Sequence, residues 1–280
     1  MYKWLFVVLS FISSILLTQA YASDRFTIHN TQTLKITSKF NLQNYELYVR
    51  LPKGYNKSKR TYPLVLINDT SYSIATASGI LHLIEGRDIE EVIVVGISYS
   101  QGTNPLLSRT RDYTPTFAPD ETGGHSKEAQ QVSGQANRYV KFIDKQVLPL
   151  IIRSFRVDES RKTFVGHSYG GLLGTYILLH QPSLFESYIL GSPSFWYDNR
   201  VIFEMERHYA EHNESLPAIA RYYIGGNEGA MVTDLKAFVD ILDKRQYQNF
   251  DYGYKVISNA SHFSVFALLL TEGLIDIYGK

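Results

Sequence analysis

Residues 162–180 read KTFVGHSYGGLLGTYILLH: a short apolar run, a serine set among glycines, then an apolar stretch at helical spacing. The order asks a buried strand to end at Gly166 and a helix to begin just after Ser168. The pentapeptide GHSYG fits G-x-S-x-G, a motif whose meaning depends on a strand–turn–helix setting. At so sharp a turn the serine is expected in a strained backbone conformation, with the residues two before and two after kept small because chain segments nearly touch. Gly166 and Gly170 answer that demand. The helix then starts beneath Ser168, where its free N–H groups and dipole favour a developing negative charge. The alternative is a glycine-rich strand–helix turn carrying an incidental serine.

Outward from this elbow, YPLVLIN (62–68) and EVIVVGIS (91–98) are nearly continuous apolar runs, as strands buried on both faces of a parallel sheet require. KTFVG (162–166), SYILGS (187–192), ARYYIGG (220–226) and YGYKVIS (252–258) read the same way. Helical patterns separate them, over 74–86, 133–153, 169–180, 199–211, 231–245 and 262–277. The alternation predicts an α/β fold: a mostly parallel central sheet with helices on both faces and right-handed crossovers. The earlier segments RFTIHN, TLKITSK and YELYVRLP are short and closed by turn residues, and are expected to form an antiparallel N-terminal edge. Residues 99–125 lack any period and are rich in Gly, Pro and Thr. They are expected to be a long loop at the carboxyl edge of the sheet, where open α/β folds bind ligands.

The chain has 280 residues and a formal net charge of +1, so nothing in its charge points to nucleic acid or an anionic membrane surface. It contains no cysteine, which excludes a disulfide framework and thiolate metal ligation. In residues 1–22, Lys3 is the only charge, WLFVVLSFISSILL is apolar, and AYA precedes SDRF. A basic start, an apolar region and a small-x-small site describe a secretory signal peptide, here cleaved after Ala22. The apolar run falls short of the roughly 20 residues of a membrane span; the alternative is an uncleaved anchor. The expected mature protein is one domain, residues 23–280, exported most simply to a bacterial periplasm and without stable membrane association.

A serine hydroxyl needs a base, and in strand–elbow–helix architectures the chain order is serine, acid, histidine. Of the eight histidines, His167 sits inside the elbow and is expected to point away from the hydroxyl; His180 ends the elbow helix; His208 and His212 belong to a later surface helix. His262, in NASHFSV after the last strand, is where the base should come from. The acid should follow ARYYIGG: Glu228 in GGNEG is the first choice and Asp234 the alternative. The oxyanion needs two backbone N–H groups, one from Tyr169 and the other from Thr70 or Ser71 in LINDTSYS (66–73). There is no HExxH, the histidines suggest no ligand spacing, and the glycines form neither a P-loop nor a dinucleotide fingerprint, so no metal or cofactor is expected.

Several stretches together resemble the serine esterase family of the α/β-hydrolase superfamily, the group with esterase D-like enzymes and enterobactin- and salmochelin-type siderophore esterases. They are YPLVLINDTSY (62–72), VIVVGISY (92–99), RTRDYTPT (109–116), the run from VLPLIIRSFRVDESRKTFVGHSYGG through SPSFWYDN (147–199), IGGNEGAMVTDLKAF (224–238) and SHFSV (261–265). The resemblance implies an α/β-hydrolase fold and ester hydrolysis through an acyl-serine, with Ser168 as nucleophile, His262 as base and Glu228 as acid. Two positions depart from the pattern: NDTSY stands where relatives often show Asp-Gly, and Phe263 follows the histidine where a polar residue is common.

RTRDYTP (109–115) and SPSFWYDN (192–199) should flank the site, so Arg111, Tyr113, Trp196 and Tyr197 are candidates to grip an aromatic or polar acyl group, a catecholate included. The alternative makes Arg111–Asp112 a loop-fixing ion pair and the aromatics rim packing. The expected partner is a small-molecule ester, either a siderophore trilactone or an acylated carbohydrate. Acyl transfer to another alcohol, and ligand binding without cleavage, are the competing functions.

Overall fold

Strand β3 (Tyr62–Ile67) is buried at every position, as its unbroken apolar sequence requires. Leu64 and Leu66 face one core while Val65 and Ile67 face another on the opposite side of the sheet. The computed structural model describes residues 27–280, and the predicted signal peptide lies outside them. The described elements are β1 (Thr31–Thr37), β2 (Asn44–Arg50), β3, α1 (Ser73–Ile84), β4 (Ile93–Ile97), α2 (Pro105–Tyr113), α3 (Lys127–Gln130), α4 (Ala136–Phe142), α5 (Leu148–Ser154), β5 (Val157–His167), α6 (Tyr169–His180), β6 (Ser187–Gly191), α7 (Tyr197–Ala210), β7 (Ser215–Gly225), α8 (Ala230–Arg245), β8 (Gln248–Ile257) and α9 (Val265–Tyr278).

The eight strands form one sheet in the order β1-β2-β4-β3-β5-β6-β7-β8. β1 and β2 pair antiparallel with each other, and β2 pairs antiparallel with β4; the remaining pairs are parallel. The edge expected from the early segments is therefore present, although residues 27–30 of RFTIHN are not strand and β1 begins at Thr31. After β3 the chain steps to β4 on one side, then returns to β5 on the other. The crevice between the ends of β3 and β5 is thus the switch point where such sheets bind ligands. The loop after β3 and the elbow after β5 face each other there.

Three sequence expectations change. The helical pattern 133–153 is α4 and α5 joined by a π turn over Ile143–Val147. Regular α7 starts only after Arg200, because Asp198, Asn199 and Arg200 are left-handed, with φ of 45°, 51° and 66°. The segment 99–125 is not one irregular loop: it contains α2, capped by the Asn104 side chain, which accepts from the Leu106 N–H at 2.9 Å, with Pro105 in the first helical position. Among the described residues no helix is long and apolar enough to cross a membrane.

Candidate active site

Ser168 sits between β5 and α6 with φ 61° and ψ −118°, a conformation that costs a non-glycine residue on the order of 1–3 kcal/mol. The surroundings enforce it. The Ser168 N–H donates to the Gly191 carbonyl at 2.9 Å, and its own carbonyl accepts from Leu172 at 3.0 Å and Ser194 at 3.2 Å. A Cβ on Gly166 would overlap the Gly170 carbonyl, so the first glycine of the motif is demanded by backbone crossing. The second is not: a Cβ on Gly170 would meet its nearest neighbour, Asp69 Oδ2, at an ordinary 3.5 Å.

Ser168 and His262 line the same cavity, of about 560 Å³, together with Tyr72, Leu106, Arg109 and Phe266 among others. His262 arrives from the turn between β8 and α9 and places Nδ1 2.6 Å from Glu228 Oε2. The other Glu228 oxygen accepts from Ser192 Oγ at 2.6 Å and from the Gly225 N–H at 2.7 Å. Burial pushes the Glu228 carboxyl up, but the His262, Ser192 and Gly225 hydrogen bonds outweigh it and hold the group below its usual range. A charged carboxylate on Nδ1 leaves Nε2 as the ring nitrogen for proton transfer. Ser168 Oγ is hydrogen-bonded to Ser194 Oγ at 3.3 Å rather than to His262, so a hydrogen bond to the imidazole would need a turn of the serine side chain. Asp234, the alternative acid, is instead paired with Arg200 at 2.5 Å on α8.

The loop after β3 offers donors of the required kind. Asp69 is left-handed at φ 56°, and the N–H groups of Thr70 and Ser71 make no hydrogen bond among the described residues. Their side chains line a neighbouring cavity of about 420 Å³, with Tyr48 and Tyr99, while Tyr72 faces the cavity of Ser168. Tyr169 is the first residue of α6, so its N–H has no intrahelical acceptor.

The candidate substrate residues are placed differently from the sequence expectation. Arg111 is buried and spends its guanidinium on Asp112 at 2.8 and 2.9 Å, on Ser100 Oγ and on the Tyr45 hydroxyl. It is the loop-fixing pair of the alternative reading. Tyr113 is buried among Tyr139 and Arg109, and Tyr197 is buried with its hydroxyl on the Thr116 carbonyl. Trp196 packs its ring against Gly123 and Tyr169. The arginine that does reach the cavity is Arg109, two residues earlier and on the other side of α2. A helix over 105–113, signalled by Asn104–Pro105, would have separated the two faces.

His167, expected to point away from the hydroxyl, lines the cavity with its ring 4.6 Å from that of His262. Burial, then the neighbouring His262 and Arg109 charges, push it down to about 3. Burial likewise pushes His125, another lining residue, down to about 4. Both values favour the neutral ring at physiological pH. One histidine group does show ligand spacing, against the sequence reading: on α7 and just beyond it, exposed His208, Glu211 and His212 hold their ligand atoms within 4.8 Å of one another.

The family model described as "Putative esterase" matches residues 38–236. The ferri-bacillibactin esterase BesA of Bacillus subtilis is 28% identical over 201 residues, 69% of this chain and 68% of that protein. The siderophore enterobactin esterase of Emericella nidulans is 29% identical over 178 residues, 59% of this chain and 58% of its own length. Among solved structures, an IroE-like serine hydrolase from Shewanella oneidensis superposes with a TM-score of 0.79 at 26% identity, covering 89% of this chain and 80% of that one. The BES protein from Bacillus cereus shares the fold with a TM-score of 0.81 at 22% identity, over 92% and 99% of the two chains. The chain belongs to this esterase family and is a serine carboxylic ester hydrolase with the α/β-hydrolase fold.

Proposed function

We propose that the protein is an exported esterase that opens ester bonds in siderophore-type small molecules, with Ser168 as nucleophile, His262 as general base and Glu228 as the acid that orients it. The 2.6 Å hydrogen bond between His262 and Glu228, at a cavity shared with an elbow serine, carries the reading. Ser168 Oγ attacks the ester carbonyl and its proton passes to His262 Nε2. Negative charge on the carbonyl oxygen falls to the N–H of Tyr169 and to that of Thr70 or Ser71. As the tetrahedral adduct collapses, the C–O bond to the leaving alcohol breaks and His262 returns the proton to that oxygen. Water, deprotonated by the same nitrogen, then attacks the acyl-serine; the C–O bond to Ser168 Oγ breaks, His262 returns the proton to Oγ, and the acid is released. Glu228 stays ionised and stabilises the imidazolium at each stage.

Two observations support the substrate class. Relatives over most of the chain are named for ester-bearing siderophores: ferri-bacillibactin and enterobactin. The cavity wall of Leu106, Phe263 and Phe266 suits a flat, apolar acyl group, and Phe263, 87% exposed, extends that wall to the rim. The basic, apolar, small-x-small pattern of residues 1–22 supports export to the periplasm.

The test compares wild type with Ser168→Ala on catecholate trilactones, feruloyl esters, acetylated sugars and simple acyl esters, with a fluorophosphonate probe in parallel. The trilactones should give the highest kcat/KM, and the probe should label wild type alone. Equal hydrolysis by Ser168→Ala would remove the mechanism; preference for acetylated sugars would remove the substrate class.

A further inference from the structure

We infer that Arg109 is the positioning residue of the oxyanion site: its one guanidinium ties the loop after β3 to the elbow. The inference deepens the reading of Ser168 as nucleophile and rests on it. Arg109 is 9% exposed. Its Nε donates to Asp69 Oδ1 at 2.8 Å and its Nη2 to Asp69 Oδ2 at 3.1 Å, the bidentate geometry of a strong pair. The same Nη2 also donates to the His167 carbonyl at 3.0 Å. Asp69 directly precedes the unpaired N–H groups of Thr70 and Ser71, and His167 directly precedes Ser168 and the free N–H of Tyr169. Both backbone segments that must converge on one oxygen are therefore held by a single planar group.

The clamp is braced from every side. Asp69 accepts further hydrogen bonds from the hydroxyls of Tyr99 at 2.7 Å and Tyr72 at 3.2 Å. The guanidinium lies 5.6 Å from the ring centre of Tyr113 and 5.3 Å from that of Tyr169. Stability alone gives no reason to keep such a pair, because well-packed apolar residues of similar volume commonly serve as well or better. Alignment of two donor segments gives one, since oxyanion donors act by being in place before charge develops. Lysine lacks the fork: an ammonium placed on Asp69 cannot also reach the His167 carbonyl in the same geometry.

The experiment measures kcat and KM for a short-chain p-nitrophenyl ester, together with inhibition by a boronic acid that forms a tetrahedral adduct on the serine. Arg109→Lys should lower kcat about 10²-fold, the scale of losing one oxyanion donor, while KM stays within about threefold of wild type. The inhibition constant of the boronic acid should rise in proportion to the loss in kcat/KM. A residue that merely held the fold would leave that proportionality absent. The double variant Asp69→Asn/Arg109→Met removes both charges, so it folds without an orphaned ion, and it should be at least as slow as Arg109→Lys. A folded Arg109 variant with wild-type kcat, or a loss confined to KM, overturns the assignment. Ser168→Ala separates the two readings: if it still turns over, the nucleophile is wrong; if it is dead while the Arg109 variants are fully active, only the clamp is wrong.

Discussion

At the elbow, residues 162–180, the constraints are local. A Cβ on Gly166 collides with the carbonyl four residues later, and the strained Ser168 is held by hydrogen bonds from both sides of the turn. In residues 99–125, which cover the same cavity, the constraints are long-range. Arg111 and Asp112 close on Tyr45 of β2, 67 residues from Asp112, and Arg109 closes on Asp69 and on His167, 40 and 58 residues away. The two regions build one site, yet the first is written in spacing and the second in partners that spacing does not reveal. Short-range sterics fix where the nucleophile stands; buried charge fixes what stands around it.

The strongest way to break this contrast is to remove a long-range partner. Arg111→Met leaves the Asp112 carboxylate buried with only neutral donors: Tyr45 at 2.7 Å, Asn41 at 3.2 Å and Ser108 at 3.3 Å. Breaking a buried pair from one side costs about 3–5 kcal/mol, and those donors set the expectation at the lower end. Denaturant unfolding reads it directly. The folded fraction should keep its KM, since Arg111 touches no part of the Ser168 cavity. A loss under about 1 kcal/mol with a raised KM would restore Arg111 to substrate binding.

The local side of the comparison is sharpened by the two glycines of the motif. Gly166→Ala pushes a methyl group into the backbone of α6, which cannot yield, and should destabilise by about 1–3 kcal/mol or more, with loss of activity. Gly170→Ala meets ordinary contact within a helix, where alanine is favoured over glycine by up to about 1 kcal/mol. It should leave the melting temperature level or raised. Equal damage at both positions would mean that the symmetry of G-x-S-x-G, and not the crossing at Gly166, governs the turn.

What the sequence disclosed follows the same division. The strands, the sheet class, the elbow and the helix beginning at Tyr169 were legible because alternation, apolar runs and glycine punctuation are properties of neighbours. That Ser168, His262 and Glu228 come together follows from chain order, which architectures of this kind preserve. RTRDYTP points to Arg111 as readily as to Arg109, because nothing in it says which arginine faces the cavity until α2 is recognised as a helix. HYAEH already reads as helix surface, and what the sequence leaves open there is whether His208, Glu211 and His212 turn their ligand atoms toward one another, as they do within 4.8 Å. Ser192 and Ser194 flank Pro193 in SPSFW with nothing to distinguish them, yet one serves Glu228 and the other Ser168 Oγ.

Glu228 provides a pH test of the network behind the elbow. Its carboxyl is held below the ordinary value of 4.5, so the stability it contributes is complete above that value. That contribution is lost as pH falls through the lower folded-state value. The stability difference between wild type and Glu228→Gln should therefore be level at neutral pH and shrink on acidification below 4.5. A difference that grows toward low pH would mean that burial, and not the donors from His262, Ser192 and Gly225, sets the state of the carboxyl.

The smallest effect tests whether the long-range region also has a local seed. Asn104 caps α2 with its side chain on the Leu106 N–H, and Asn104→Ala should cost about 1 kcal/mol. Because α2 is short and carries Arg109 and Arg111 toward different partners, the loss should appear as faster amide exchange confined to residues 105–113 rather than as a broad change. If the cap matters only to the helix, kcat stays level while exchange quickens. If the register of α2 aligns the Arg109 clamp, kcat falls by the fraction of time the helix is open, and KM does not move. No quickening of exchange would show that the buried arginine pairs hold α2 without help from its cap. The segment would then owe its form entirely to partners distant in the chain, and the contrast with the elbow would be complete.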